Sequence, residues 1–325
     1  MTAHRDLKSI IRARQSKTGE SYTAARAHVM RERAALLGQS TESPRSAPVE
    51  RVDAVVLKVN QRSARVRVLG EDEPITFRSS DASSVVPGHL VTLIVDRRWN
   101  WRDAYASGRI EDPRIDVERL GLVPLPLIGG ELEDLRRGYE PFRRPEPYAP
   151  LWRELTAKRR ASFEMDPIAW GLFPGMDPED NPTCDASELA AAGDREGARR
   201  LLMDVLCRDL RCIDAHALLG NLELEHAPEQ AILHYEIGMR IGELSLPPGF
   251  DGVLVWGWLY NRPFLRCLHG YGLCLWHLGQ LAAAQRVFER MLSLNPNDNQ
   301  GVRSCWDDVR HGRTWEAAAA AESNP

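Results

Sequence analysis

Cys212 and His216 stand four residues apart in DLRCIDAHALLG, a spacing that puts a thiolate and an imidazole on one face of a helix. Two such ligands are half of a tetrahedral zinc site, and Cys207 or Cys184 would have to complete it. No C-x-x-C pair accompanies them, and the same two residues are equally at home as small and large core positions of a helix. Cys267 and Cys274, seven apart, also have core spacing. Glycine-rich phosphate loops, H-E-x-x-H and G-x-S-x-G are all missing. Acidic groups such as Asp177, Glu179 and Asp180, or Asp307 and Asp308, sit beside proline or at helix ends, where capping and solvation account for them. The expectation is a non-enzymatic chain with no metal and no cofactor.

A second constellation suits stacking rather than catalysis. DRRWNWRDAY brings Trp99, Trp101 and Tyr105 among Arg97, Arg98 and Arg102, and Phe77 lies upstream. Aromatic faces interleaved with guanidinium groups are what single-stranded nucleic acid needs: bases stack and phosphates pair. The competing reading has the tryptophans plugging the mouth of the domain that carries them. A third group is basic only. Residues 1–38 hold eight Lys/Arg against three Asp/Glu, with Arg12, Arg14 and Lys17 among them. Such a head either touches phosphate backbone or is a solvated helix face.

The elements that must position these groups follow from periodicity. RDLKSIIRARQSKTGESYTAARAHVMRERAALL reads as two short helices broken at Thr18-Gly19, with Leu7, Ile10 and Ile11 facing Tyr22, Ala25 and Val29. Residues 39–49 are a Ser/Pro linker. From residue 50 the period becomes two, and five short strands follow, with a turn expected at Trp99-Asn100-Trp101. Five strands in so short a span, with no crossover helix, predict a small antiparallel barrel of OB or SH3-like type over 50–118. Residues 119–183 form a Pro-rich connector carrying one helix, from about Tyr148 to Phe163, with Trp152 and Leu155 inward. Helices are expected from Asp177, the first capped by Asp185 or Ser187, and continue through 184–322.

Within that last stretch, small and large residues recur at fixed offsets. In the frame beginning at Leu265, Leu268, Tyr271, Gly272 and Leu275 fall on a first helix, Ala284, Phe288 and Met291 on a second, Gly279 at the turn and Pro296 at the end. Gly193 and Gly220 hold the turn and first-helix positions of the preceding units, with Ala198 and Leu202, then Leu219, Ala231 and Tyr235, on the helices. This pattern resembles the tetratricopeptide repeat, including bacterial proteins of that family. The resemblance implies stacked helical hairpins whose groove, lined by first-helix residues, holds a protein or peptide partner. His216, Asn221, Leu268, Tyr271 and Leu275 are the residues it points to. An insertion at 245–263, SLPPGFDGVLVWGWLYNRP, interrupts the array, and its Trp256, Trp258 and Tyr260 either pack over the helices or form a contact surface. Val302, Trp306 and Val309 would close the stack.

Composition limits the rest. The chain has 325 residues, room for two or three domains, and a net charge of −4. No apolar run is long enough for a membrane span, and MTAHRDLKSI lacks the apolar core of a signal peptide. A cytoplasmic, multidomain α and β interaction protein is expected, binding a protein segment through the repeat groove. The alternative is a nucleic-acid-associated factor in which the head and barrel hold RNA or DNA.

Overall fold

A computed structural model describes residues 12, 14, 25, 28, 29, 50–101, 103–135, 147–166 and 181–322. The chain divides into two compact units, Met1–Val49 and Glu50–Pro325. In the first, the described residues are helical, and Ala25 and Val29, one turn apart, are buried together. The rest of the basic head, Lys17 included, and the linker lie outside the described residues.

The second unit begins with a closed barrel of five strands: β1 Glu50–Asn60, β2 Ser63–Val68, β3 Ile75–Arg78, β4 Leu90–Trp101 and β5 Asp103–Arg114. Their order around the barrel is β1-β2-β3-β5-β4, and β4 closes onto β1. All neighbours are antiparallel except β3 and β5, which run parallel. Alternation dictates the inside: Val56, Val66, Phe77, Leu93 and Ala106 are fully buried. Between β3 and β4 a 3-10 turn, Ser80–Ser84, starts where the Ser79 hydroxyl accepts from the Asp81 amide.

The turn expected at Trp99-Asn100-Trp101 is displaced. Trp99 pairs with Tyr105, Asn100 with Ala104 and Trp101 with Asp103, so β4 runs straight through the expected turn. Cross-strand pairing of large aromatic residues stabilises the longer ladder. Phe77, grouped above with the exposed aromatics, is a core residue, because strand alternation places it opposite to its neighbours Thr76 and Arg78.

The connector also differs from expectation. The helix stops early, as α1 Ala149–Leu155, and Arg160–Met165 is strand β7, paired antiparallel with β6 Leu127–Glu133. The Arg160 guanidinium explains the break. It donates to three carbonyls, Asp251 at 2.6 Å, Gly252 at 2.8 Å and Ser293 at 2.7 Å, which a helical residue 160 is not placed to do. Trp152 is buried, and Leu155 is half-buried against the same core.

Eight helices follow: α2 Pro182–Ala191, α3 Arg195–Arg208, α4 Ile213–Glu223, α5 Pro228–Leu244, α6 Arg262–His277, α7 Leu281–Leu294, α8 Val302–Arg310 and α9 Trp315–Glu322. Each packs on the next up to α8, and α2, α4, α6 and α8 also touch in series. α9 folds back onto α6, where Trp315 meets Trp276 edge to face. Gly193, Gly279 and Gly312 make three of the tight turns at φ of +89°, +74° and +74°, a region glycine enters freely. The cap of α2 is Asn181, whose side chain accepts from the Thr183 amide at 3.0 Å, whereas Asp185 and Ser187 are inside the helix. Proline at the next position favours that start.

Among the described residues of this second unit there are two apolar cores. One fills the barrel; the other runs from the barrel wall at Val55, Leu57 and Val86 through Leu125 and Tyr148 to Val309 at the end of the array. Among the described residues no helix is long and apolar enough to cross a membrane.

Candidate functional site

Strand register assembles a surface on the outside of the barrel. Arg65 of β2 lies beside Thr76 of β3, Thr76 beside Tyr105 of β5, and Tyr105 beside Trp99 of β4. The next row, one pleat along, reads Ser63, Arg78, Ser107 and Arg97. All eight are on the outward phase of their strands, and none is buried. The rings of Trp99 and Tyr105 are stacked, with centroids 5.6 Å apart and planes 10° off parallel. Arg78 lies 5.5 Å from both ring centroids, and Arg97 5.9 Å from that of Trp99. These contacts hold the guanidinium groups while leaving their hydrogen-bond donors open.

No carboxylate among the described residues pairs with Arg65, Arg67, Arg78 or Arg97; the Arg65 guanidinium donates to the Thr76 hydroxyl at 3.2 Å. An open groove of about 450 Å³ runs between Arg78, Arg97, Trp99 and Ser107. Chemically, this is a cationic, aromatic strip suited to a flat π system bearing negative charge.

Arg98 does not belong to it. Its guanidinium makes a two-point contact with the Glu50 carboxylate, at 2.6 and 3.2 Å, which holds that carboxyl below its usual range. Trp101 ends β4, and Arg102 lies outside the described residues, so neither side chain is placed. Trp99 sits on the outer face and does not plug the barrel. Arg65, Thr76 and Arg78 join the strip through tertiary pairing, although the alternation in SARVRV and ITFR already puts them on the outward phase.

The residues expected to line a groove in the array divide differently. His216, Leu268 and Leu275 are buried, at 0%, 1% and 3% exposure, so they hold helices together and do not face a ligand. A first-helix position meets the neighbouring helices on two sides, which is why the larger side chains there are covered. Asn221 is exposed, and its side-chain oxygen accepts from the Tyr235 hydroxyl at 2.6 Å. Tyr271 is half-buried in a shallow depression with Met239, Val287 and Arg290.

The insertion is mostly packed. Val253 exchanges backbone hydrogen bonds with Ala161 and Phe163 across a parallel bridge at Ser162, and Leu254 donates to the Leu294 carbonyl. Trp256 lies under Arg262 and Arg266, at 5.1 and 5.8 Å, and Trp258 is half-buried. Leu259 and Tyr260 stay exposed, at 60% and 39%.

Cys212 is the residue before α4, and burial pushes its thiol up to about 12; the His216 Nε2 bonds the Leu210 carbonyl at 3.0 Å, and burial brings the imidazole down to about 4. Among the described residues no cluster of three His, Cys, Asp or Glu is placed to hold a metal ion.

No protein-family model and no curated protein matches the chain.

Proposed function

We propose that this chain is a non-enzymatic adaptor whose barrel binds single-stranded nucleic acid and whose helical array holds a protein partner. The observation that carries the first half is the two-row strip of Arg65, Thr76, Tyr105 and Trp99 beside Arg78 and Arg97. The strand order β1-β2-β3-β5-β4 with a parallel β3/β5 seam supports an OB-type barrel, in which the β2–β3 face and the β1–β2 and β4–β5 loops hold oligonucleotides. The strip spans that face from β2 to the β4–β5 hairpin. Single strands suit it better than duplex, because an unstacked base can lie on the indole whereas a paired one is covered by its neighbours.

The second half is supported by the packing of the array. Tyr235 lies over Gly220 and Phe288 over Gly272, the small-under-large arrangement of a tetratricopeptide hairpin, and the alternate helices meet in series. With His216, Leu268 and Leu275 buried, the candidates still open to a partner are Asn221 and Tyr271 in the array, and Leu259 with Tyr260 form a second exposed patch.

Fluorescence anisotropy of the full chain with a labelled single-stranded oligonucleotide tests the first half. Log affinity is expected to fall linearly with log salt, as counterion release requires, and duplex is expected to bind more weakly. Absence of binding at low salt would remove the nucleic-acid reading and leave the partner-holding array to be tested by capture with the full chain.

A further inference from the structure

The strongest feature outside the barrel is a cavity of about 480 Å³ where α2, α4 and α6 begin. Its size is that of a small-molecule site. Leu125, Met165, Ile213, Leu259 and Pro263 give it apolar walls, and Arg262 and Arg266 stand one turn apart at its edge. We infer that this cavity binds an amphipathic carboxylate, an aliphatic acid whose chain lies on the apolar wall and whose head pairs with Arg262. The site is distinct from the nucleic-acid strip and does not rest on it.

Charge decides the sign of the head. Arg266 is already paired with Asp214 at 3.2 Å, and Arg211 with Asp209 at 2.6 Å. Among the described residues the direct contacts of Arg262 are to uncharged groups: its Nε donates to the Trp256 carbonyl at 3.0 Å, and its guanidinium lies over the Trp256 ring. No carboxylate among the described residues satisfies it. The indole beneath Arg262 and Arg266 holds both in place before any ligand arrives, so little ordering remains to be done on binding.

Local backbone adds to this. Neither α4 nor α6 has a side-chain cap at its start, and the first residues of both line the cavity. Asn261, the residue before α6, is turned away: its oxygen accepts from the Met165 amide, and its nitrogen donates to the Phe163 and Val255 carbonyls. The start of α6, which follows the 3-10 turn Leu259–Asn261, leaves partial positive charge beside the arginine, while Asp214 in the first turn of α4 offsets the charge there. Two opposing carboxylates line the same cavity, Asp166 and Asp214, and Asp214 is the one paired with Arg266.

The rim calls for an apolar body. Leu259 and Tyr260 are among the few large apolar side chains left in water, and both border this cavity. Covering them with an aliphatic chain recovers burial that the fold alone leaves unused.

Calorimetry with the full chain uses three probes below their aggregation limits: decanoate, decanol and inorganic phosphate. Decanoate is expected to bind at least about tenfold more tightly than decanol, the scale of one good charge-assisted contact, and phosphate to give no heat. Arg262→Gln is expected to bring decanoate down to the affinity of decanol, and Asp166→Asn to tighten it severalfold. Equal binding of decanol, binding of phosphate alone, or no binding of decanoate overturns the inference. Should Arg262→Gln fail to fold, Asp166→Asn decides, since unchanged or weaker decanoate binding in that variant excludes a carboxylate head beside Arg262.

Discussion

The ring of Tyr235 is held between two helices by glycine: a methyl group at position 220 would come within 2.6 Å of its ring carbons, and one at position 270 would also collide with it. Gly220→Ala is therefore expected to destabilise the array by about 1–3 kcal/mol, the usual cost of overpacking a filled core. The helix propensity gained by replacing glycine, about 1 kcal/mol, offsets only part of it. Chemical denaturation of the full chain measures the difference, and a variant as stable as the parent would mean that the ring is free to move.

On the barrel, the Trp99 indole is expected to contribute about 1–3 kcal/mol to oligonucleotide binding, so Trp99→Ala weakens it by roughly ten- to a hundredfold. Arg78→Ala also flattens the salt dependence, because one phosphate contact is lost. Arg98→Gln serves as the control. Arg98 is occupied by Glu50 at an exposed pair, and its replacement is expected to change stability by no more than about 1 kcal/mol and affinity not at all. A loss with Arg98→Gln equal to that with Trp99→Ala would move the site to the other side of β4.

Arg160 ties the insertion to the array through three carbonyls. Arg160→Leu leaves those acceptors without a donor at a buried position, and a loss of about 3 kcal/mol is expected from unmade bonds to a charged group. Lysine cannot span all three, since its ammonium lacks the planar fork, so Arg160→Lys is expected to recover little of it. Thermal unfolding of both variants is the measurement; full rescue by lysine would show that charge alone matters.

Among the described residues His89, His216 and His234 are buried and His269 is half-buried, and desolvation disfavours the charged form of all four. His89, His216 and His269 are held down to about 4, and His234 lies well below its usual value. The unfolded chain takes up these protons near pH 6.5 while the native chain resists until about 4, so stability is greatest above the unfolded value and declines as pH falls between the two. A shift of that size is worth on the order of 3 kcal/mol per group. The unfolding midpoint is expected to drop steeply from pH 6.5 toward 4, with a shallower slope in His234→Phe. An unchanged slope in that variant would show that His234 takes no part in the acid sensitivity.

Much of the fold can be read from local pattern. Period-two runs mark all five barrel strands, and the recurrence of glycine beneath a large ring marks Gly220 with Tyr235 and Gly272 with Phe288. These signals are legible because each depends on residues close in sequence and on one steric rule. The β6–β7 sheet is not legible in this way. Its strands are separated by the whole of α1 and more, and the reason for β7 is a guanidinium seeking carbonyls ninety residues away.

The candidate sites divide along the same line. Residue types and alternation suffice to nominate Arg97, Trp99 and Tyr105, and to place Arg65, Arg67 and Arg78 on outward phases of their strands. The tertiary structure decided that β3 and β5 lie side by side, which joins Arg78 to Trp99, and that Glu50 takes Arg98 away. It also decided that His216, Leu268 and Leu275 are covered while Leu259 and Tyr260 are not. Periodicity specifies which face of an element is apolar, but which neighbour covers that face depends on contacts between segments distant in the chain, and those exist only once the chain has folded.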